Sequence, residues 1–287
     1  MRVVADAIAH RDALPPAPVG GKLPTTNAVF PFWQYLGPNK FHTSMDPNGF
    51  NDTQSGRVNA VAFDPQHNGT WYAGAPYGGV WKSTDFGASW KPLTDSWKYL
   101  SVSSIAVDPR NANTLYVGTG DMPGGSRYAR GVMKSTDGGA SWTNVGLFGI
   151  TIPKLVVDPD DSNNVLAVTS FGNIYRSTNA GASWTSVLNV GTDWTDLTFS
   201  QPNFFFPRSF YAVGNGPGGN IYRSDDHGAS WINLSPPLRS LQQTGMAIAT
   251  SFINPSTVYL FAPNDKKLLA SADFGANWGH HWQSRRR

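Results

Sequence analysis

The chain has no cysteine among its 287 residues, which rules out a disulfide framework, a thiolate-bound metal and a thiol nucleophile. Charge is also scarce: Asp, Glu, Lys and Arg make up 14% of the sequence, well under the roughly 25% usual in soluble domains. The formal charge of +3 resembles a nucleic-acid footprint, but Arg285–Arg287 supply all of it. Without those three, 19 basic side chains face 19 acidic ones, so the body is neutral and nucleic acid is not an expected partner. No apolar run approaches the length of a membrane span. The six histidines are scattered, and His280–His281 do not stand at ligand spacing, so no metal or cofactor is expected. No nucleophile elbow, phosphate loop or dinucleotide fingerprint occurs. Residues 1–28, with Pro15, Pro16, Pro18 and Pro24 but no apolar signal-peptide core, read as a disordered leader.

What the chain does have is turns and aromatics: 30 Gly, 21 Pro and 11 Trp. That mixture fits an all-β protein with many tight reversals. An eight-residue box, Ser-x-Asp-x-Gly-x-Ser-Trp, occurs five times. It runs Ser83–Trp90, Ser135–Trp142, Ser177–Trp184 with Asn179 for Asp, Ser224–Trp231, and Ser271–Trp278 with Asn277 for the second Ser. Successive copies start 52, 42, 47 and 47 residues apart, the period of a radial or stacked repeat.

Between boxes lies a second pattern. Val58–Pro65 matches Val102–Pro109, with later versions at Ile152–Pro159, Leu197–Pro202 and Met246–Pro255. Small and β-branched residues ending in Asp-Pro describe a buried strand stopped by a turn. Short strands follow at Trp71–Gly74, Leu115–Gly118, Val165–Val168, Phe210–Val213 and Val258–Phe261. A third strand enters each box and a fourth leaves it from the Trp. Four strands per repeat is the arithmetic of a propeller blade. The expected fold is an all-β propeller over residues 29–280 with five blades visible, followed by an irregular basic tail, 281–287. Gly279-His280-His281-Trp282 puts His where an apolar residue belongs, so the fifth outer strand is expected to be truncated or replaced. Trp33–Leu36 resembles an outer strand able to complete a ring; the other option is a fragment of a larger one.

The box has a mechanical reading. Its acidic position (Asp85, Asp137, Asn179, Asp226, Asp273) accepts backbone amides as in an Asx turn, its Gly tolerates positive φ, and its Trp buries an apolar face. Asn179 fits a turn and not a catalytic acid. If boxes and Asp-Pro turns share one face, a ligand meets the opposite loops. Those loops offer Arg57, Trp97, Tyr99, Arg127 and Trp194 as ligand-binding candidates, Trp97 and Trp194 being equally readable as packing between blades. The catalytic candidates would be Asp52, Asp121 and Asp193, with Asp196 nearby.

The box resembles the Asp-box, or BNR, repeat of sialidases, xyloglucanase-type glycoside hydrolases, sortilin-type receptors and secreted bacterial propellers. Trp33–Pro38, Gly56-Arg57-Val58 and Gly78–Ser83 are similar to the secreted bacterial group. The resemblance implies a propeller in a secreted or periplasmic protein. It does not carry the catalytic residues over. Pro76 stands where the xyloglucanase-type pattern has its general base, and no Arg-Ile-Pro of a sialidase is present. Glycosidases generally need two carboxylates flanking the bond. The sequence therefore leads to a non-catalytic propeller presenting a loop face to a polysaccharide or protein partner. A glycoside hydrolase of the xyloglucanase or sialidase-like type is the alternative, and an assembly factor a third class. Oligomeric state is not readable from these motifs.

Overall fold

The computed structural model describes residues 57–98, 101–121, 129–216, 219–234, 236, 238 and 244–283. Among these there is no helix; twenty strands form five four-stranded sheets, each a meander of antiparallel neighbours in chain order. The first holds β1 (Ala60–Phe63), β2 (Trp71–Ala75), β3 (Gly79–Ser83) and β4 (Lys91–Pro92). The second holds β5 (Val102–Asp108), β6 (Asn111–Thr119), β7 (Val132–Ser135) and β8 (Thr143–Gly146). The third comprises β9 (Lys154–Asp158), β10 (Asp161–Val168), β11 (Asn173–Ser177) and β12 (Thr185–Asn189). Blade four is β13 (Trp194–Phe199), β14 (Phe210–Gly214), β15 (Asn220–Ser224) and β16 (Ile232–Asn233). Blade five is β17 (Ala247–Thr250), β18 (Val258–Ala262), β19 (Lys267–Ser271) and β20 (Gly279–Gln283). The fold is a β-propeller.

One correction concerns the end of the fifth blade. The His-rich stretch does form an outer strand: β20 pairs with β19 through Leu268↔Trp282 and Lys267↔Gln283, with a register shift between Leu268 and Leu269. The sheet thus extends through Gln283, into the segment read as a tail from 281. Backbone pairing supplies what the side-chain pattern does not announce. The possible closing strand Trp33–Leu36 and the leader 1–28 lie outside the described residues.

Four apolar cores alternate with the five sheets. Tyr72, Val80, Val102, Leu115 and Met133 join blades one and two; Tyr116, Val132, Leu155 and Val165 join two and three. Leu166, Ile174, Trp194, Leu197 and Phe210 join three and four; Tyr211, Ile221, Met246, Leu260 and Leu269 join four and five. Interior strands are therefore buried on both faces, so β14 reads Phe-Tyr-Ala-Val-Gly without polar alternation. The first strands also bond side chain to backbone across blades. Asn59 Nδ2 donates to Val102 O at 3.0 Å, Ser103 Oγ to Ile152 O at 2.6 Å, Thr195 Oγ1 to Met246 O at 2.7 Å and Thr250 Oγ1 to Phe199 O at 2.7 Å.

Each box closes the hairpin between third and fourth strands. In the first, Ser83 Oγ donates to Asp85 Oδ1 (2.7 Å) and accepts from Gly87 N (2.8 Å). Asp85 also accepts Ser89 N (2.9 Å) and Ser89 Oγ (2.6 Å), while Trp90 Nε1 donates to Gly87 O (3.0 Å). The turn is closed by Ala88 N to Asp85 O, 3.2 Å, with Phe86 and Gly87 both at positive φ (59° and 83°). Two consecutive left-handed residues are the requirement of a type I′ hairpin turn. The fourth box position takes this conformation even where it is Ala180, His227 or Phe274, at a cost of order 1–2 kcal/mol each, offset by the surrounding bonds.

Substitutions within the box keep its bonds, with one donor reversed in box three and none in box five. Asn179 keeps the acceptor contacts to Ser177 Oγ and Ser183 N but donates through Nδ2 to Ser183 Oγ at 2.8 Å. In the fifth, Asn277 Nδ2 donates to Asp273 Oδ2 at 2.7 Å.

The boxes also tie blades together. The carbonyl of the fourth residue accepts a donor from the preceding blade: Lys82 Nζ to Gly138 O (3.3 Å), Lys134 Nζ to Ala180 O (2.8 Å), Arg223 Nη1 to Phe274 O (2.9 Å). At the third junction the link is relayed, Arg176 Nε to Asn164 Oδ1 and Asn164 Nδ2 to His227 O, each 2.9 Å. These cations stand directly before the box Ser in blades one to four; blade five has Ala270 there. In boxes two to five the Gly meets an apolar side chain of the blade before it: a Cβ on Gly139 would lie 2.5 Å from Leu93 Cδ1, and one on Gly275 2.6 Å from Leu234 Cδ1.

Two outcomes follow. Gly139→Ala combines an unfavourable φ of 95° with that overlap, and is expected to cost about 2–4 kcal/mol in urea melts. Ser and backbone donors hold Asp85 and Asp137 at about 2, the Asn277 side chain and amide with Ser271 hold Asp273 there, and against opposing desolvation Ser230 and Ser224 hold Asp226 at about 2 as well. Since these folded values lie below the unfolded one, their stabilisation is complete above pH ~4 and is lost as pH falls towards ~2. Carboxyl NMR titration should show these four together, and Asn179 should contribute nothing to the acid limb.

Candidate functional site

Antiparallel meanders send alternate loops to opposite ends. The turns after first strands lie with the boxes: Phe86 N donates to Gly69 O, and Gly138 N to Asn113 O. The opposite, loop face carries the second-to-third-strand loops and the blade-to-blade connections. Its polar centre in the described residues is Asp121, just beyond β6. Asp121 is buried and ion-paired with Arg57, which is half exposed. Around it, Gly120 N donates to Ser101 O at 3.2 Å, while buried Ser101 Oγ has no hydrogen-bond partner among the described residues. Thr119 Oγ1 accepts Arg130 N at 2.7 Å, and the Arg130 guanidinium lies 5.8 Å over the Trp97 ring.

The sequence candidates separate accordingly. Arg57 and Asp121 meet; as a catalytic group Asp121 is already engaged by a cation. Trp97 is half-buried, edge-on to Trp142 at 5.6 Å and capped by Arg130, so one ring serves both packing and the loop face. Trp194 is corrected from ligand contact to core: it is fully buried between blades three and four, edge-on to Tyr222 at 5.7 Å. A strand beginning inside an inter-blade core leaves its first side chain no path to the surface. Asp193, the residue before it, is exposed. Asp196 is part of the inner-strand network, accepting Ile248 N at 3.1 Å with Lys154 Nζ 3.6 Å away. Asp52, Tyr99 and Arg127 lie outside the described residues. Exposed Tyr77, Phe148 and Phe171 also occupy loop-face turns. Tyr77 and Phe148 were not singled out from sequence, although Tyr77 beside Pro76 in a Gly-rich turn was a readable signal.

A second cluster lies at the box face. Buried Asp158 accepts His227 Nδ1 (2.7 Å) and Asn164 Nδ2 (2.8 Å); Arg208 forks onto Asp160 at 2.9 and 3.2 Å and donates to Ser200 O at 2.8 Å. Ligand atoms of Asp158, Asp160 and His227 fall within 4.8 Å of one another, but the Arg208 guanidinium already supplies the positive charge, and its hydrogen bonds hold the Asp160 carboxyl below its ordinary value. The group joins blades three and four. A half-open depression of about 200 Å³ beside box three, lined by Arg176, Ser183 and Val187 among others, sits away from the loop face.

No protein-family model matches the chain. A xyloglucanase of Hypocrea jecorina is 32% identical over 122 residues, 37% of this chain and 14% of that protein. The xyloglucanase Xgh74A of Acetivibrio thermocellus is 27% identical over 174 residues, 55% of this chain and 20% of that protein. Among solved structures, an ancestral GH74 enzyme superposes with a TM-score of 0.63 at 24% identity, covering 80% of this chain and 32% of the other. The GH74 xyloglucanase of Xanthomonas campestris gives 0.52 at 20% identity over 78% and 45%. The matched region thus spans a fifth or less of these curated relatives. The structural neighbours support the propeller fold.

Removing Arg57 takes one ion-pair partner from a buried carboxylate. Because the guanidinium is half solvated, Arg57→Ala is expected to cost about 1–2 kcal/mol. The double variant Arg57→Ala/Asp121→Asn should recover part of that loss in denaturant melts, giving a non-zero coupling energy.

Proposed function

We propose that the chain is a glycoside-hydrolase-type propeller working on xyloglucan-like β-glucans outside the cytoplasm, with its loop face as the polysaccharide surface. The observation that carries this reading is the xyloglucanase match, which extends to 174 residues. The box, read as the Asp-box repeat, is scaffold on the other face. On the loop face, exposed Tyr77 and Phe171 and the Arg130-capped Trp97 offer ring surfaces against which pyranose rings stack, and Arg57 and Asp193 offer polar groups for sugar hydroxyls. Hydrolysis needs a carboxylate pair, roughly 5 Å apart for retention or 6.5–9.5 Å for inversion; Asp121 and Asp193 are the candidates among the described residues.

Two observations favour a second reading, in which the propeller binds the glucan without cleaving it. Pro76 occupies the position of the expected base, and Asp121 is committed to Arg57. One experiment separates the two. The chain is incubated with xyloglucan while reducing ends are counted, and affinity electrophoresis in xyloglucan gels is run alongside. Hydrolysis reduced at least about a hundredfold by Asp121→Asn or Asp193→Asn, with retardation kept, establishes the enzyme. Retardation without new reducing ends leaves the binding module. Neither effect with any β-glucan sinks both.

A further inference from the structure

The box face of blades four and five carries apolar surface that the fold does not use. The loop between β13 and β14 runs Pro202-Asn203-Phe204-Phe205-Phe206-Pro207, and its phenylalanines are 93%, 79% and 45% exposed. The exposure is built in. Asn203 Oδ1 accepts the amides of Phe205 and Phe206, both at 2.9 Å, and Asn203 N donates to Phe206 O at 2.9 Å, an Asx-type turn held between two prolines. Phe206 packs against Phe274 of box five at 4.8 Å. Phe274 N in turn bonds Ser256 O at 2.9 Å, in the loop whose Phe252 and Ile253 are 73% and 91% exposed. The strip is thus joined across two blades.

Its chemistry narrows the occupant. None of these five side chains carries a hydrogen-bonding group, and Phe204 and Phe205 stand edge to face at 87°, a wedge and not the flat platform on which sugars stack. The charged neighbours Arg208–Asp160 and Arg223–Asp225 are paired, so no field selects a charged partner. The strip leaves on the order of 700 Å² of apolar surface open, at ~200 Å² per aromatic side chain, close to the roughly 800 Å² per partner of a standard interface. The same strip on another molecule is its own apolar complement, and the neutral body imposes no long-range repulsion between copies.

We propose that this strip is the interface of a two-fold, back-to-back dimer, a second copy of the chain covering Phe204–Phe206 and Phe252–Ile253. The two loop faces then point outward. If the loop face binds glucan, as proposed above, the dimer grips a repeating polymer at two points and gains avidity without new contacts.

Sedimentation velocity on the full chain from about 1 to 100 µM tests the pairing without any glycan, so it stands or falls apart from the glucan reading. The expected result is a monomer–dimer equilibrium that Phe204→Ser/Phe205→Ser weakens at least about tenfold, and Phe252→Ser in the same direction. Phe148→Ser, an equally exposed phenylalanine on the opposite face, should leave it unchanged; matching circular-dichroism melts show that the variants fold. A wild-type monomer throughout overturns the proposal, as does association insensitive to the double substitution or lost equally with Phe148→Ser. Monomers that co-sediment with phosphatidylcholine vesicles through Phe204 and Phe205 would assign the strip to a lipid surface and overturn it as well.

Discussion

The fourth residue of each box is forced into the left-handed region by the turn that the Ser and the Asp or Asn close, and this single conformational demand organises the molecule. In boxes two to five it aims a carbonyl at the preceding blade, where a lysine or arginine donates to it directly or through Asn164. It also brings the box glycine so close to the neighbour's Leu or Val side chain that a Cβ would not fit at most junctions. Hairpin closure and blade docking therefore draw on the same few residues. The acidic residue stabilises the turn from the solvent side; the Ser hydroxyl, buried and bonded three ways, holds the inside.

Spending the conserved-looking polar residues on the box face leaves the loop face free to vary. There the blades contribute unlike groups: a Tyr in the first, an arginine-tied aspartate in the second, a Phe in the third, an exposed Asp before the fourth. This division between a repetitive scaffold face and an irregular chemical one is how one architecture hosts unrelated activities.

Much of the fold was legible because it is written five times. The box period located the hairpins, and the apolar-Asp-Pro pattern located first strands to within two or three residues. The fifth outer strand was not legible: His280 and His281 stand where the other blades suggest apolar residues, yet the segment pairs with β19. The site was less readable. Trp194 looks like Trp97 in sequence, each in a connection between blades, yet one begins a strand inside a core and the other ends beneath Arg130. Asp121 and Arg57 are 64 residues apart, and no local pattern announces that the carboxylate is already taken.

The cation-to-box contacts all point the same way along the chain: each of blades one to four reaches forward to the box of the next. In blades one to four each cation therefore precedes, in chain order, the box carbonyl that it serves. Ala270 interrupts that relay. Blade five can be captured but offers no cation of its own, so a grafted sixth repeat would dock only by its apolar face unless position 270 were given a lysine or arginine.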